Sequence, residues 1–306
     1  MANESPYLDV PSVEQFLERV RSYTPDLIYT KGAIDRIHHY TDLAGLAGIV
    51  GSQDLWLTNA RFSNDDEEMT HGYGVVRTVI EQRLAGALLP GEKECLEELQ
   101  RLLADPEAEA VYICCFCQDG DLLSQWRGYG ANGSGVSLAF DPAGFSFVTG
   151  PDSPRFGLVR LWSVFYDDPI QRNLVNEAIL FGLQFPGTPE QQARRAADAI
   201  RFFLPTFKNA RFKEENEIRL IFTPDPNCNP PPPPPDFRVA RGMLVPYYRL
   251  QVLQGNRSAP HPLPMRALRV GPSVSKGLNA QAARMLLAKA GRPEVTVDVS
   301  STPYRG

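Results

Sequence analysis

The segment FKEENEIRLIF carries two carboxylates and a guanidinium at alternate positions. Its pattern is typical of a strand, in which side chains two residues apart share a face. Glu215, Glu217 and Arg219 should therefore lie on one surface, with successive side chains about 7 Å apart. The intervening and following residues Ile218, Leu220 and Phe222 should enter a core. Two carboxylates can stabilise a positively charged transition state and activate a nucleophile, but the same pattern is common on solvated sheet faces, where it forms cross-strand ion pairs.

A histidine near the start of the chain is the second candidate group. It lies in IHHYT, a short run of strand formers, and is followed by Asp42, a favourable N-cap for the helix LAGLAGIVGS. His39 at this position either holds a ligand or forms only a capping or core hydrogen bond. The order of features along the chain is informative: first a histidine on a strand, then a central aromatic segment, and late in the chain a glutamate on a strand. This order favours one site that contains His39 and Glu217.

The central segment DLLSQWRGY supplies aromatic and cationic groups. Trp126 and Tyr129 lie three residues apart on a predicted short helix, a spacing equally typical of two core aromatics. Arg127 has forked donors that fit a pyrophosphate, although such a side chain more often forms a surface ion pair. In the earlier loop NARFSNDDEE, the run Asn64–Asp66 is interpreted as a helix cap rather than as a set of ligands.

The composition argues against several classes of protein. With 31 Lys and Arg against 36 Asp and Glu, the net charge of −5 argues against a general nucleic-acid coat, which needs excess cations near phosphates. The first residues lack a cationic stretch followed by an apolar run, and no window approaches the roughly 18 apolar residues that span a bilayer. The interpretation is a cytoplasmic protein without membrane association. Its five cysteines, three of them in VYICCFCQ, are interpreted as reduced thiols.

Several familiar motifs are absent or lack their context. Gly128, Gly130 and Gly133 have G-x-G-x-x-G spacing, but a predicted helix precedes them and the strand GVSLAF follows, which reverses the order of a dinucleotide-binding turn. Cys115 and Cys117 have no second cysteine pair and no histidine at ligand spacing, so no metal is expected. The motifs of serine hydrolases, phosphate-binding loops and zinc peptidases are missing.

Helix and strand patterns alternate irregularly, without the repeated order of a doubly wound sheet. This predicts an α+β fold with a mixed, mostly antiparallel split sheet and flanking helices. Residues 1–30 are assigned to an N-terminal helix, and residues 31–306 to a single α+β domain. The prolines Pro230–Pro235 can join neither a helix nor a central strand, so residues 224–236 are predicted to form an extended surface loop. The next segment, VARGMLVPYYRLQVL, is expected to be one strand.

Four segments together resemble the bacterial family called domain of unknown function 2971. They are HYTDLAGLAGIVGSQDLWLTNARFSNDDEE, ICCFCQDGDLLSQWRGYGANGSGVSLAFD, FKEENEIRLIF and LRVGPSVS, and the resemblance covers most of residues 37–290. The shared features are HYT, an F-N-D-P-x-E-like loop, an aromatic W-x-x-Y segment before G-V, and E-x-E-x-R. In this chain the loop reads FSNDDE, with an insertion and without the proline.

The motif order also resembles the His-aromatic-Glu arrangement of ADP-ribosyltransferases, a class that includes toxins and phage-defence proteins. This resemblance implies an ADP-ribosyltransferase or NAD glycohydrolase with NAD as its substrate, and it allows for an antitoxin or immunity partner. The implied catalytic residues are Glu217, Glu215 and His39. The residues implied to bind NAD are His39, Tyr40, Thr41, Trp126, Arg127 and Tyr129.

Each implied residue has a role in breaking the nicotinamide–ribose bond. His39 would bind the ribose, the backbone of Tyr40 would hold the nicotinamide amide, and one of the two central aromatic residues would stack on the nicotinamide ring. Because bond cleavage builds positive charge on the ribose, Glu217 would stabilise the transition state more than the ground state. Glu215 would orient or deprotonate an acceptor, which the sequence leaves open as protein, nucleic acid or water.

Two other functions remain open. The same cleft would serve a non-catalytic module that binds a nucleotide or a nucleic-acid end, recognisable by thermal stabilisation without product. The six prolines would fit a scaffold for proline-recognising partners, although a spacer loop explains them more simply.

Overall fold

The computed structural model describes residues 13–23, 34–63, 67–86, 88, 90–105, 110–145, 157–240, 242–253 and 260–303. These residues form two compact units, each assembled from separate stretches of chain. The first unit is mainly helical and takes its described residues from Met1–Ile28, Ser63–Glu109 and Val164–Phe212. The second contains the sheet and takes its described residues from Tyr29–Phe62, Ala110–Ser163 and Lys213–Gly306. The assignment of residues 31–306 to one domain stays a prediction.

The helices in the described ranges are α1 (Val13–Tyr23), α2 (Leu43–Ser52), α3 (Glu67–Leu84), α4 (Glu92–Leu102), α5 (Leu123–Gly128), α6 (Asp168–Leu183), α7 (Pro189–Phe203) and α8 (Lys276–Lys289). The helical unit contains α1, α3, α4, α6 and α7. In its core, the ring of Phe16 on α1 stacks on that of Phe181 on α6 with centroids 4.6 Å apart. Thr188 and Gln191 form a reciprocal capping box that starts α7.

The strands in the described ranges are β1 (Ile37–Thr41), β2 (Asp54–Asn59), β3 (Tyr112–Cys117), β4 (Val136–Phe140), β5 (Gly157–Ser163), β6 (Glu217–Pro224), β7 (Asp236–Ala240), β8 (Met243–Leu253), β9 (Pro260–His261), β10 (Met265–Val270) and β11 (Thr296–Val299). Their order across the sheet is β11-β10-β4-β1-β3-β2-β8-β7, with β6 paired to β3 and β5 paired to β6. Strands β10 and β11 are parallel, and the other pairs that make up this sheet are antiparallel. The predicted α+β class with a mostly antiparallel sheet and flanking helices is confirmed.

Strand β3 is the branch point of the sheet. One of its edges pairs with β6 along its whole length. The other edge is shared, because β1 pairs with it at Cys117, through His38, and β2 pairs with it at Tyr112 and Ile113. Neither β1 nor β2 pairs with Cys114–Phe116, so these two strands separate from each other beside this part of β3. We call this opening the split.

The two faces of the sheet differ in character. The apolar face contributes buried residues of β1, β3, β4 and β6 to one core, including Ile37, Phe116, Leu138, Ile218 and Leu220. Leu46 of α2 and Leu287 of α8 belong to the same core, so these helices cover that face. The prediction that Ile218, Leu220 and Phe222 enter the core is confirmed. The opposite face, here called the polar face, carries His38, Tyr40, Cys115, Cys117, Glu217 and Arg219, whose positions follow from the strand registers.

The glycine-rich segment has the predicted order of helix, turn and strand. Helix α5 ends at Gly128, a short 3₁₀ turn spans Ala131–Gly133, and β4 follows. Backbone at Gly130 passes so close to Trp126 that a Cβ there would lie 2.6 Å from the indole ring. The glycines therefore serve close packing around Trp126, and the segment lacks the strand-to-helix order of a dinucleotide-binding turn.

The expectation of one long strand over VARGMLVPYYRLQVL is wrong. The segment forms a hairpin in which β7 and β8 pair from Asp236 opposite Tyr247 to Ala240 opposite Met243. Gly242 has φ of 75°, a left-handed conformation that glycine adopts without steric cost and that tight hairpin turns require. Before the hairpin, residues 231–235 have no regular secondary structure, and the Tyr248 hydroxyl donates a hydrogen bond to the Pro233 carbonyl over 2.6 Å.

The helices in the described ranges include none that combines the length and the apolar character needed to cross a bilayer.

Candidate active site

A small cavity opens on the polar face beside the split. Its volume is about 50 Å³, and its walls come from β1, β3, α5, β6 and the turn before β6. The lining residues are His38, His39, Tyr40, Cys115, Phe116, Cys117, Gln125, Tyr129, Glu215 and Glu217. A cavity needs about 10–15 Å³ for each water-sized group, so this one has room for roughly four such groups.

The strand registers place a histidine, a thiol and a carboxylate in one row. His38 is opposite Cys117 across the β1–β3 pair, and Cys117 is opposite Glu217 across the β3–β6 pair. Residues directly opposite each other on neighbouring strands point to the same face. His38, rather than His39, is therefore the histidine that shares a face with Glu217.

Glu217 is fixed by a buried ion pair. Arg219 Nε donates to one carboxylate oxygen over 2.7 Å, and Arg219 Nη2 donates to the other over 2.9 Å. Both side chains are buried, with 5% of Glu217 and 2% of Arg219 exposed. This two-point contact holds the carboxylate in one orientation at the cavity wall. Glu217 and Arg219 share one face of the sheet, as predicted, and on that face they pair with each other.

Glu215 does not lie on the strand. Strand β6 begins at Glu217, and Glu215 ends a 3₁₀ turn that starts at Ala210. Asn216 between them has φ of 40°, a left-handed conformation that asparagine tolerates better than most residues. The alternation argument therefore fails for Glu215, although its side chain still reaches the cavity.

Backbone covers the imidazole ring of His38, and this ring is neutral near pH 7. A Cβ at Gly120 would lie 2.3 Å from His38 Nδ1, so only glycine allows this segment to cover the ring. Burial lowers the pKa of His38 to about 4, and Arg269 adds to this effect while Asp119 opposes it. A neutral imidazole can donate one hydrogen bond and accept another, which suits contact with a hydroxyl.

His39 occupies the split. Its Nδ1 lies 2.9 Å from the Cys115 carbonyl oxygen and 3.7 Å from Cys114 Sγ. Because a carbonyl oxygen only accepts hydrogen bonds, Nδ1 must be the donor. It therefore bonds to the backbone of β3 at a position where β1 no longer pairs with that strand. Burial also lowers the pKa of His39. His39, the site residue predicted on β1, thus lines the cavity, but its Nδ1 already donates to the backbone of β3.

The two central aromatics have different environments. Trp126 is fully buried, and its indole nitrogen donates to Asp121 over 2.8 Å. It packs edge-on against Tyr40, with ring centroids 4.8 Å apart. Tyr129 follows the end of α5 and lines the cavity with Gln125. Of the two candidates for stacking on a ligand, Tyr129 lines the cavity and Trp126 does not.

The remaining predicted ligand residues lie at the margin. The Tyr40 hydroxyl donates to the Asp119 carbonyl over 2.8 Å and accepts from the Leu122 amide over 2.9 Å, so it braces the loop before α5. Burial raises the pKa of this hydroxyl. Thr41 and Arg127 do not line the cavity. Thr41 lies against Gly45 of α2 instead, and Arg127 is exposed on α5.

Cys117 at the cavity is a protonated thiol. Burial raises the pKa of Cys117 to about 12, and the nearby carboxylates of Glu215 and Glu217 add to the rise. Because the thiolate is the nucleophilic form, Cys117 is unsuited to nucleophilic catalysis here. Within the described ranges, no three His, Cys, Asp or Glu side chains are arranged to hold a metal ion. The predicted cap at Asn64–Asp66 lies outside the described residues.

The resemblance to known proteins rests on one match. Residues 125–220 match the family described as "Protein of unknown function (DUF2971)". The matched segment contains the α5 side of the cavity and both glutamates, whereas the β1 histidines lie outside it. The match confirms the resemblance to this family over a narrower range than residues 37–290. No curated protein and no solved structure matches the chain significantly, and the resemblance to ADP-ribosyltransferases gains no support from these comparisons.

The low pKa of His38 predicts a pH-dependent stability. Between about pH 6.5 and pH 4 the unfolded chain binds a proton at this residue and the folded chain does not, so stability is fully present above pH 6.5 and falls as the pH drops. We expect a loss of about 3 kcal/mol from this residue by pH 4. Urea unfolding of the wild type and of His38→Gln across this range measures it. An equally steep loss in the variant would contradict the assignment.

Proposed function

We propose that this protein cleaves the nicotinamide–ribose bond of NAD and transfers ADP-ribose to an acceptor or to water. The observation that carries the proposal is the row His38, Cys117, Glu217 on one sheet face, with Tyr129 and Glu215 completing the same cavity. These are the group types that the reaction needs: a neutral imidazole, an aromatic ring and two carboxylates.

The charge of the cavity suits this reaction. Cleavage of the glycosidic bond leaves positive charge on the ribose, which a fixed carboxylate stabilises without reorganisation. Glu217 has the role of that carboxylate because Arg219 holds it rigidly at the wall. Glu215 lies in a turn rather than on the strand, and its role is to orient or deprotonate the acceptor.

The split leaves an unpaired strand edge beside the cavity. Beyond His38, β1 is no longer in register with β3, so its edge next to Tyr40 borders the opening. In the proposed complex His38 contacts the ribose, the backbone beside Tyr40 holds the nicotinamide amide, and Tyr129 stacks on the ring. His39 contributes its second ring nitrogen at the border of the cavity.

Nicotinamide release tests the proposal. The purified full chain is incubated with NAD alone, with protein from a cell lysate, and with single-stranded nucleic acid, and free nicotinamide is followed by chromatography. We expect release in at least one arm, and the arm that accelerates it identifies the acceptor class. Absence of release in every arm would contradict the proposed reaction.

The second candidate function is a nucleotide-binding module without turnover. The observation in its favour is the ion pair between Arg219 and Glu217, which reduces the negative charge that the carboxylate offers to the ribose. A rise in melting temperature with NAD but no nicotinamide release would favour this module. In either case, a role as toxin or defence effector and an antitoxin or immunity partner remain proposals from the resemblance.

A further inference from the structure

A group of arginine and aromatic side chains lies on strands β2, β8 and β7. The rings of Trp56 and Tyr247 are stacked, with centroids 4.5 Å apart and planes at 28°. The guanidinium carbons of Arg238 and Arg249 lie 5.6 Å and 5.8 Å from the centre of the Trp56 ring. Guanidinium groups held beside aromatic rings are a combination that binds phosphates and nucleotides. We call these four residues the arginine–aromatic cluster.

The cluster faces the same side of the sheet as the cavity. Thr58 of β2 is opposite Ile113 of β3 and also opposite Tyr247 of β8. Ile113 precedes Cys115, which lines the cavity, by two residues and so has the same facing. Arg238 Nη2 donates to the Thr58 hydroxyl over 2.7 Å. Two residues along a strand and one step between strands place Thr58 about 10 Å from Cys115. Arg238, bonded to Thr58, is close enough to the cavity residue His39 for its charge to lower the pKa of that ring.

The two arginines differ in their existing partners. Arg249 pairs with Asp236 over 3.1 Å, and about half of each side chain is exposed, so water or another anion can compete for it. Arg238 uses Nη2 on Thr58, while its buried Nε has no hydrogen-bond partner among the described residues. A buried donor without an acceptor is unfavourable, and an anionic ligand would supply the acceptor.

We propose that the arginine–aromatic cluster binds the diphosphate of the nucleotide whose nicotinamide riboside end enters the cavity. This inference rests on the proposed function. At about 50 Å³ the cavity is too small for a whole nucleotide, so in the proposed complex the rest of the ligand must lie on the adjoining surface. The reacting carbon of NAD belongs to the ribose whose 5′-oxygen carries the diphosphate, so the phosphates would lie just outside the cavity, on the polar face. Arg238 and Arg249 then replace Arg127 as the phosphate-binding arginines.

Calorimetric titration of the full chain with two ligands tests the cluster. ADP-ribose contains the diphosphate, whereas nicotinamide riboside has the reacting end without it. We expect Arg249→Ala to weaken ADP-ribose binding about tenfold and to leave nicotinamide riboside binding unchanged. Arg266→Ala is the matched control, because Arg266 is an exposed arginine paired with Asp141 over 2.6 Å. Thr58→Val, which frees Arg238 from its tether, should also weaken ADP-ribose binding.

The outcomes separate this inference from the proposed function. Equal ADP-ribose affinity in the wild type and Arg249→Ala would overturn the cluster as a phosphate site, as would a wild type that does not bind ADP-ribose. An equal loss for nicotinamide riboside would overturn it too, since that ligand lacks the diphosphate. Loss of ADP-ribose binding in Arg249→Ala, together with no nicotinamide release by the wild type, would support the cluster and contradict the proposed reaction.

Discussion

Glu217→Gln is expected to reduce the rate of nicotinamide release by roughly 10²–10³-fold. The amide keeps the shape of the carboxylate and one acceptor oxygen, but it loses the negative charge that faces the ribose as the bond breaks. Rates of release under saturating NAD measure the effect. The matched control is Glu214→Gln, an exposed position in the turn before β6, which should retain the wild-type rate.

The same substitution also leaves Arg219 without its carboxylate. Breaking one side of a buried ion pair typically destabilises a protein by about 3–5 kcal/mol, so thermal unfolding has to be recorded beside the rate. The double variant Glu217→Gln/Arg219→Gln removes the uncompensated charge and should recover part of the stability without recovering the rate. Recovery of both would mean that Glu217 serves the fold and not the reaction.

Trp126→Ala is expected to lower the free energy of unfolding by about 3–5 kcal/mol. The side chain is fully buried, packs edge-on against Tyr40, and fits against the backbone of Gly130 and Gly271. Its removal leaves a cavity that this backbone cannot readily fill, and it takes the indole donor away from Asp121. Urea denaturation measures the change.

Trp126→Phe separates the two contributions to that loss. Phenylalanine keeps most of the packing but cannot donate to Asp121, so its destabilisation should be clearly smaller than that of alanine. Equal and small effects of both substitutions would contradict the assignment of Trp126 to the interior. They would return it to consideration as a ligand-stacking residue.

Much of the sheet could be predicted from local patterns. The alternation in EIRLIF correctly placed Ile218 in the core and put Glu217 with Arg219 on the opposite face. Asp42 caps α2 as predicted, since its carboxylate accepts from the Gly45 amide over 2.6 Å. These features depend on neighbours in the chain, and the residue types alone determine them.

The choice between the two adjacent histidines could not be made from the sequence. Either His38 or His39 could face Glu217, and the pairing of His38 with Cys117 decides the question. Register between strands far apart in the chain depends on the whole sheet, and a shift of one residue exchanges the two faces. Cys117 was missed as a cavity residue for the same reason. Gln125 was missed because the packing of helix α5 against the sheet is a tertiary contact.

Local backbone conformations account for the other differences. The hairpin between β7 and β8 depends on the left-handed Gly242, and the late start of β6 depends on the left-handed Asn216. The glycine in VARGML interrupts the strand pattern and could have indicated the hairpin. The sequence contains no such signal for the division into two units, because their segments alternate along the chain without a linker of distinctive composition.

Histidine ring NMR tests the position of the NAD site most directly. The chain has four histidines, so each ring signal can be assigned by single His→Gln variants. Titration with a carbocyclic NAD analogue that cannot be cleaved should shift the ring nitrogens of His38 strongly, and those of His39 less. The signal of His71, whose Nε2 lies 3.0 Å from the Gln171 side-chain oxygen and which does not line the cavity, should stay in place. Saturable binding that leaves His38 unshifted, or that shifts only His71, would contradict the proposed site on the polar face of the sheet.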